Sequence, residues 1–168
     1  MESIVKDISQ YFEFLQESGQ ARFNLSDESK DVINEWGIVC EGNAESIVYI
    51  IDSKSVLFGG ESGKLLLKIL GAMNLTKESV CICGISCPDA VRYRLTRVKP
   101  EVIITFGQDA LKLVIDNRAP LTHLRGKFQR FKGIKVMPTW HPLSLLEDST
   151  KKRDVWEDMK IVMQYLGL

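Results

Sequence analysis

The chain has 168 residues, a length that one folded domain fills and that can bury a core without staples. Its apolar fraction of 45% is that of a globular protein, and no apolar run approaches a membrane span, so a membrane partner is not expected. Lys plus Arg and Asp plus Glu balance at 22 each, and this formal neutrality argues neither for nor against nucleic acid. The distribution says more. Residues 1–36 carry eight acids and three bases, whereas residues 118–135 carry Arg118, Arg125, Lys127, Arg130, Lys132 and Lys135 and no acid. Arg92, Arg94, Arg97 and Lys99 form a second acid-free stretch. Such asymmetry either makes an electropositive face on a neutral protein or is ordinary solvated surface.

The N-terminus, Met1-Glu-Ser-Ile-Val-Lys-Asp, lacks the basic-then-apolar layout of a signal peptide, which leads to a cytoplasmic expectation. The four cysteines, Cys40, Cys81, Cys83 and Cys87, are then expected as thiols. Ile4, Ile8, Tyr11, Phe12 and Leu15 recur at helical spacing, with Gly19 as a stop, and a second helix is predicted over 27–36 with Ser26 as its cap. Residues 1–45 are thus expected to be a helical N-terminal part of a single domain spanning 1–168. Strand and helix then alternate. Strands are predicted at 46–51, 79–84, 102–106 and 134–137. Helices are predicted at 62–73, 89–98, 107–116 and 153–166, with Pro100 ending the second of them. This order predicts a three-layer α/β/α domain around a mostly parallel four-stranded sheet. In such a fold ligands bind at the carboxyl ends of the strands. Those ends are Asp52-Ser-Lys-Ser, Gly84-Ile-Ser-Cys, Phe106-Gly-Gln-Asp and Thr139-Trp-His-Pro.

His141 lies just past the fourth strand, between Pro138 and Pro142. A neutral imidazole there can donate a hydrogen bond to an oxygen gaining negative charge. The alternative is a ring fixed by the turn itself. The segment Phe58-Gly-Gly-Glu-Ser-Gly-Lys-Leu-Leu is not a P-loop, which needs Gly where Phe58 stands and Ser or Thr where Leu65 stands. Its glycines suit close backbone approach, and Phe58 offers either a stacking face or a core side chain. Asp52, ending the first strand, either orients a water or steadies a cationic sugar, or else caps a loop. Cys81 and Cys83, two apart on a strand, face one side, and C-x-C-x3-C matches no standard zinc or iron–sulfur spacing.

Together these stretches resemble the uracil-DNA glycosylase superfamily, in particular its bacterial and archaeal family 4 members. The resemblance is carried by Phe58 to Leu66, by Ser79 to Cys87, by Pro100-Glu-Val-Ile-Ile-Thr-Phe-Gly-Gln-Asp-Ala, and by Leu124-Arg-Gly followed by Gly133-Ile-Lys-Val-Met-Pro-Thr-Trp-His-Pro-Leu-Ser-Leu-Leu. The last segment is the most specific. The resemblance implies hydrolysis of the N-glycosidic bond of uracil, or another altered base, flipped out of DNA. It implies that His141 donates to the departing base and that Phe58 stacks on it. Pro142, Leu143, Ser144 and Leu145 would pinch and wedge the DNA, with Arg125 and Lys127 near phosphates. The alternative is a non-catalytic relative that binds nucleic acid or a nucleobase.

Departures from the family pattern are equally legible. The Gly-Glu-Ala-Pro-Gly-type loop has become the shorter Ile51-Asp-Ser-Lys-Ser-Val, so the acid that the family uses to place the attacking water is either missing or replaced by Asp52. Gly84 stands where the family places an asparagine that reads the base edge, and it brings no side chain to that task. The family's iron–sulfur cluster uses four cysteines. Cys87 matches one, but the N-terminal pair is absent and no cysteine follows Cys87, so neither cofactor nor metal is expected. DNA is the expected partner of a monomeric protein.

Overall fold

Val48 to Asp52 and Val102 to Phe106 are buried at every position, the signature of strands covered on both faces. In the computed structural model, which describes residues 38–54, 57–85 and 88–168, they are the two central strands of a mixed sheet. Its strands are β1 (Ile38–Gly42), β2 (Val48–Asp52), β3 (Cys81–Ile85), β4 (Val102–Phe106), β5 (Gln129–Phe131) and β6 (Ile134–Thr139). The spatial order is β1-β3-β2-β4-β6-β5. β3, β2, β4 and β6 are parallel, whereas β1 and β5 pair antiparallel at the two edges.

The parallel four are the strands expected from sequence, but the sheet has six strands and not four. The two extra strands are short edge strands. β5 is three residues long with Phe131 as its one apolar residue, and β1 falls inside the stretch read as helical through residue 45. β5 is too short to show an alternation of its own, and β1, Ile-Val-Cys-Glu-Gly, is neither a continuous apolar run nor a strict alternation. The helices expected over 4–15 and 27–36 lie outside the described residues.

The helices are α1 (Gly60–Ala72), α2 (Pro88–Val98), α3 (Gly107–Val114), α4 (Leu121–Leu124), α5 (Pro142–Glu147) and α6 (Lys151–Leu166). Strand alternation divides the core between two faces. Tyr49, Ile51, Cys81, Cys83, Ile103 and Val136 meet Val91 and Leu95 of α2, Leu111 and Val114 of α3 and Leu121 of α4. On the other face Val48, Ile50, Ile82, Ile104 and Met137 meet Leu66 and Leu70 of α1, Leu145 of α5 and Met159 and Val162 of α6. The result is the expected three-layer arrangement. Among the described residues no helix is long and apolar enough to cross a membrane.

One cysteine expectation is corrected. The register puts Cys40 of β1 opposite Cys83 of β3, with Cα atoms 4.3 Å apart, and the two are joined in a disulfide. Cys81 remains a buried thiol with its sulfur 3.8 Å from that of Cys83. Cys87 lies outside the described residues.

Gly63 explains part of the glycine-rich segment. A Cβ at this position would sit 2.1 Å from the carbonyl carbon and oxygen of Phe58. The obstacle is backbone, so it cannot rotate away. Gly63→Ala is expected to cost roughly 3 kcal/mol, read as a lowered urea midpoint with unchanged slope.

Candidate active site

In-register parallel pairing aligns the strand ends. Gly84 of β3 lies beside Asp52 of β2, Asp52 beside Phe106 of β4, and Phe106 beside Thr139 of β6. Two residues past Thr139 the chain turns at His141 into α5. His141 is the N-cap of that helix, and its Nδ1 accepts from the Leu143 amide at 3.0 Å. Pro142 at the first helical position has no amide to satisfy. With Nδ1 accepting, the neutral ring carries its proton on Nε2. That nitrogen lies 2.9 Å from Asp52 Oδ1 and donates to it.

Asp52 is 2% exposed. It also accepts from the Lys54 amide at 2.8 Å and the Leu57 amide at 2.9 Å. Burial pushes its carboxyl up, but the bonds from His141, Leu57 and Lys54 outweigh burial and hold it below the usual carboxylate range. The site therefore contains a desolvated, ionised carboxylate held against a neutral, oriented imidazole. Phe106 meets the His141 ring edge-on, with centroids 6.0 Å apart.

A cavity of about 370 Å³ opens in front of His141. Phe106 and Trp140 give it aromatic wall, Ser53, Gln108 and Ser144 give it polar groups, and Leu121 helps close one side. Its size falls in the range of small-molecule sites. Gln108 is already committed. It donates to the Ala119 carbonyl and accepts from the Leu121 amide, which pins the short α4 at the rim.

A sequence model of the uracil DNA glycosylase superfamily matches residues 42–160. The chain belongs to this superfamily. It is similar to the type-4 uracil-DNA glycosylase of Thermotoga maritima, with 25% identity over 158 residues, covering 77% of this chain and 82% of that protein. It is also similar to the type-4 uracil-DNA glycosylase of Sulfurisphaera tokodaii, with 23% identity over 139 residues, covering 67% of this chain but only 63% of that protein.

Against the superfamily resemblance, the structure gathers some candidate residues and separates others. His141, Asp52 and Gly84 converge at the strand ends, and Ser144 lines the cavity with His141. Phe58 stands apart from the cavity lining. It is half-buried, packs on the α1 side of the core, and has Lys77 Nζ 4.9 Å above its ring. Phe106 and Trp140 supply the aromatic surface instead. The first is the last residue of a strand and the second sits beside the histidine, positions from which either could have been inferred. Leu143 is half-buried and Leu145 buried, both within the short helix α5. Lys127 is exposed.

Arg125 turns inward. Its guanidinium grips Asp158 with Nε at 3.2 Å and Nη2 at 3.1 Å, and also reaches the Asp154 carbonyl at 2.6 Å. Thr139 donates to the same Asp158 at 2.6 Å, and Trp140 Nε1 donates to Asp154 at 3.2 Å. The Gly126 amide adds a further bond to Asp158, with Gly126 at a φ of +74° that favours glycine. Arg125-Gly126 is thus a clamp between α6 and the strand that ends at the site. Sequence reasoning missed Asp158. The available signal was an acid one residue before Met159 on the inward stripe of α6.

An iron–sulfur cluster does not fit the described cysteines. Cys40 and Cys83 are paired, and the three sulfurs lie within 4.8 Å of one another. In a cubane each thiolate binds a different iron at a separate corner, which spreads the sulfurs further.

Proposed function

We propose that this chain excises uracil, or another altered base, from DNA by hydrolysing its N-glycosidic bond. The observation that carries this reading is His141 in the wall of the cavity of about 370 Å³, held from behind by the buried Asp52, on a domain of the superfamily. The names of the two type-4 relatives support it.

The base enters the cavity against Phe106 and Trp140. As the bond between base and sugar breaks, negative charge gathers on the base oxygens and positive charge on the sugar. His141 Nε2–H then passes from Asp52 Oδ1 to the base oxygen, where a neutral donor in a water-poor site counts most. Asp52 stays ionised, still held by the Lys54 and Leu57 amides. From behind His141 its negative charge offsets the cationic sugar. Exposed Lys127 contributes to phosphate binding. Gly84 leaves the base edge without a side-chain reader, so discrimination among altered bases is expected to be loose.

The test is incubation of the protein with an oligonucleotide carrying one uracil, followed by alkali to split abasic sites. Strand cleavage with the chelator EDTA present is the expected result. Salt-sensitive DNA binding with no cleavage at enzyme excess would overturn the catalytic reading and leave a non-catalytic binder.

A further inference from the structure

The face of the sheet opposite His141 carries a second group of reactive side chains. Cys40, Cys81 and Cys83 bring their sulfurs within 4.8 Å of one another. Their placement follows from register. Cys83 is paired with Cys40 across the β1–β3 ladder, and Cys81 lies two residues before Cys83 on the same strand and face. Cys81 and Cys83 are each 1% exposed, whereas Cys40 is half-buried and gives the group its opening to solvent.

A cation stands beside them. Arg94 of α2 reaches the Cys81 thiol and the Tyr49 hydroxyl. Its Nε is buried without a hydrogen-bond partner. Among the described residues no carboxylate forms an ion pair with it. A half-buried guanidinium with one nitrogen desolvated and unpartnered favours an anion close by.

We propose that Cys40, Cys81 and Cys83, once the Cys40–Cys83 disulfide is reduced, form a site for a single zinc ion. Reduction takes two equivalents of a thiol reductant. The protein disulfide becomes two thiols, and the reductant becomes its own disulfide. Zinc then displaces three protons, one from each cysteine, and forms three zinc–sulfur bonds. A zinc–sulfur distance of about 2.3 Å sets three thiolates around one ion roughly 4 Å apart. The 3.8 Å between the Cys81 and Cys83 sulfurs already meets that spacing. Charge decides for a divalent ion. Three thiolates on Zn²⁺ leave a net charge of −1, which Arg94 balances, whereas a monovalent ion would leave −2. The fourth position is left to water on the open Cys40 side. The donor set is separate from the superfamily's cluster and lies on the face of the sheet away from the Asp52–His141 pair, so the site is independent of the catalytic reading.

The experiment uses the intact chain. It is reduced with a phosphine until four thiols are titrated, loaded with zinc sulfate, and desalted without oxygen. One zinc per chain is expected, with X-ray absorption at the zinc edge showing three sulfurs at about 2.3 Å. Cys40→Ser and Cys81→Ser are expected to lose retained zinc, and Cys87→Ser to keep it. Absorption on the unmutated chain answers the question even if a core variant fails to fold. Failure of the fully reduced chain to retain zinc would overturn the proposal. So would fewer than three sulfurs, loss of zinc on Cys87→Ser, or a brown protein holding iron and sulfide.

Discussion

His141→Asn is expected to slow uracil release about 100- to 1000-fold, the usual loss when one donor to a developing anion is removed, while keeping the α5 cap and losing some stability through the missing bond to Asp52. Asparagine is the informative replacement because His141 has two duties. It caps α5 through Nδ1 and donates through Nε2. Asparagine is a good N-cap and can still accept from the Leu143 amide, but it is too short to place a donor where Nε2 stands. Alanine would lose both functions, and its cap loss of about 1 kcal/mol would blur the reading. The rate is measured under single turnover by alkaline cleavage of a uracil oligonucleotide, with thermal unfolding alongside. A rate within tenfold of the unmutated protein would remove His141 from the chemistry.

Asp52→Asn gives the complementary result through pH. Burial pushes the Asp52 carboxyl up, but the bonds from His141, Leu57 and Lys54 prevail and hold it low. A carboxyl depressed in the folded state stabilises the fold above its unfolded value of about 3.9 and loses that contribution as pH falls through its folded value. The amide variant lacks this contribution and points an N–H₂ group at at least one of the donors that now face the carboxylate. Its stability deficit is therefore expected to be full at neutral pH and to narrow as pH drops below about 4. Urea unfolding at a series of pH values measures it, and a deficit independent of pH would contradict the assignment.

The parallel heart of the sheet was legible because each of its strands is an apolar run bounded by turn residues, with a helix between each pair. Edge strands lack that contrast. Arg130 of β5 points to water and its neighbour Phe131 to the core, too few residues to separate a strand from a turn. The convergence of Asp52, Gly84 and His141 was legible because all three stand at strand ends, where an open α/β sheet binds ligands. Phe58 and Arg125 show the limit of that method. A segment can resemble a family motif for what its backbone does. Gly63 is required by the Phe58 carbonyl, and Gly126 by the turn that brings an amide to Asp158. Side-chain direction depends on partners far away in sequence. Asp158 lies 33 residues beyond Arg125, and Lys77 lies 19 beyond Phe58.

Arg125 therefore separates two meanings of the same Arg-Gly pair, a phosphate contact and an internal clamp. Its side chain is 18% exposed and Asp158 is fully buried. Removing one partner of such a pair strands the other, at a cost of about 3–5 kcal/mol. Arg125→Ala is expected to lower Tm by about 10 °C in a chain of this length. Acid should partly rescue it. Burial pushes the Asp158 carboxyl above the usual range although Thr139, Arg125 and Gly126 pull it down. A carboxyl raised in the folded state favours the fold below its unfolded value and disfavours it as pH rises through its folded value. Without Arg125 the downward pull weakens and the carboxyl rises further, so the variant gains more from acidification than the unmutated protein. Its deficit should shrink as pH falls from neutral toward the ordinary carboxylate range. The DNA side of the comparison runs opposite. The salt dependence of DNA binding by Arg125→Ala, measured well below its Tm, should keep its slope, whereas Lys127→Ala should lower it by about 1. A stable Arg125→Ala protein with a reduced salt slope would make Arg125 a phosphate contact and dissolve the clamp. A destabilised one with an unchanged slope places the Arg-Gly pair in the framework that carries Thr139, Trp140 and, two residues on from Thr139, the imidazole of His141.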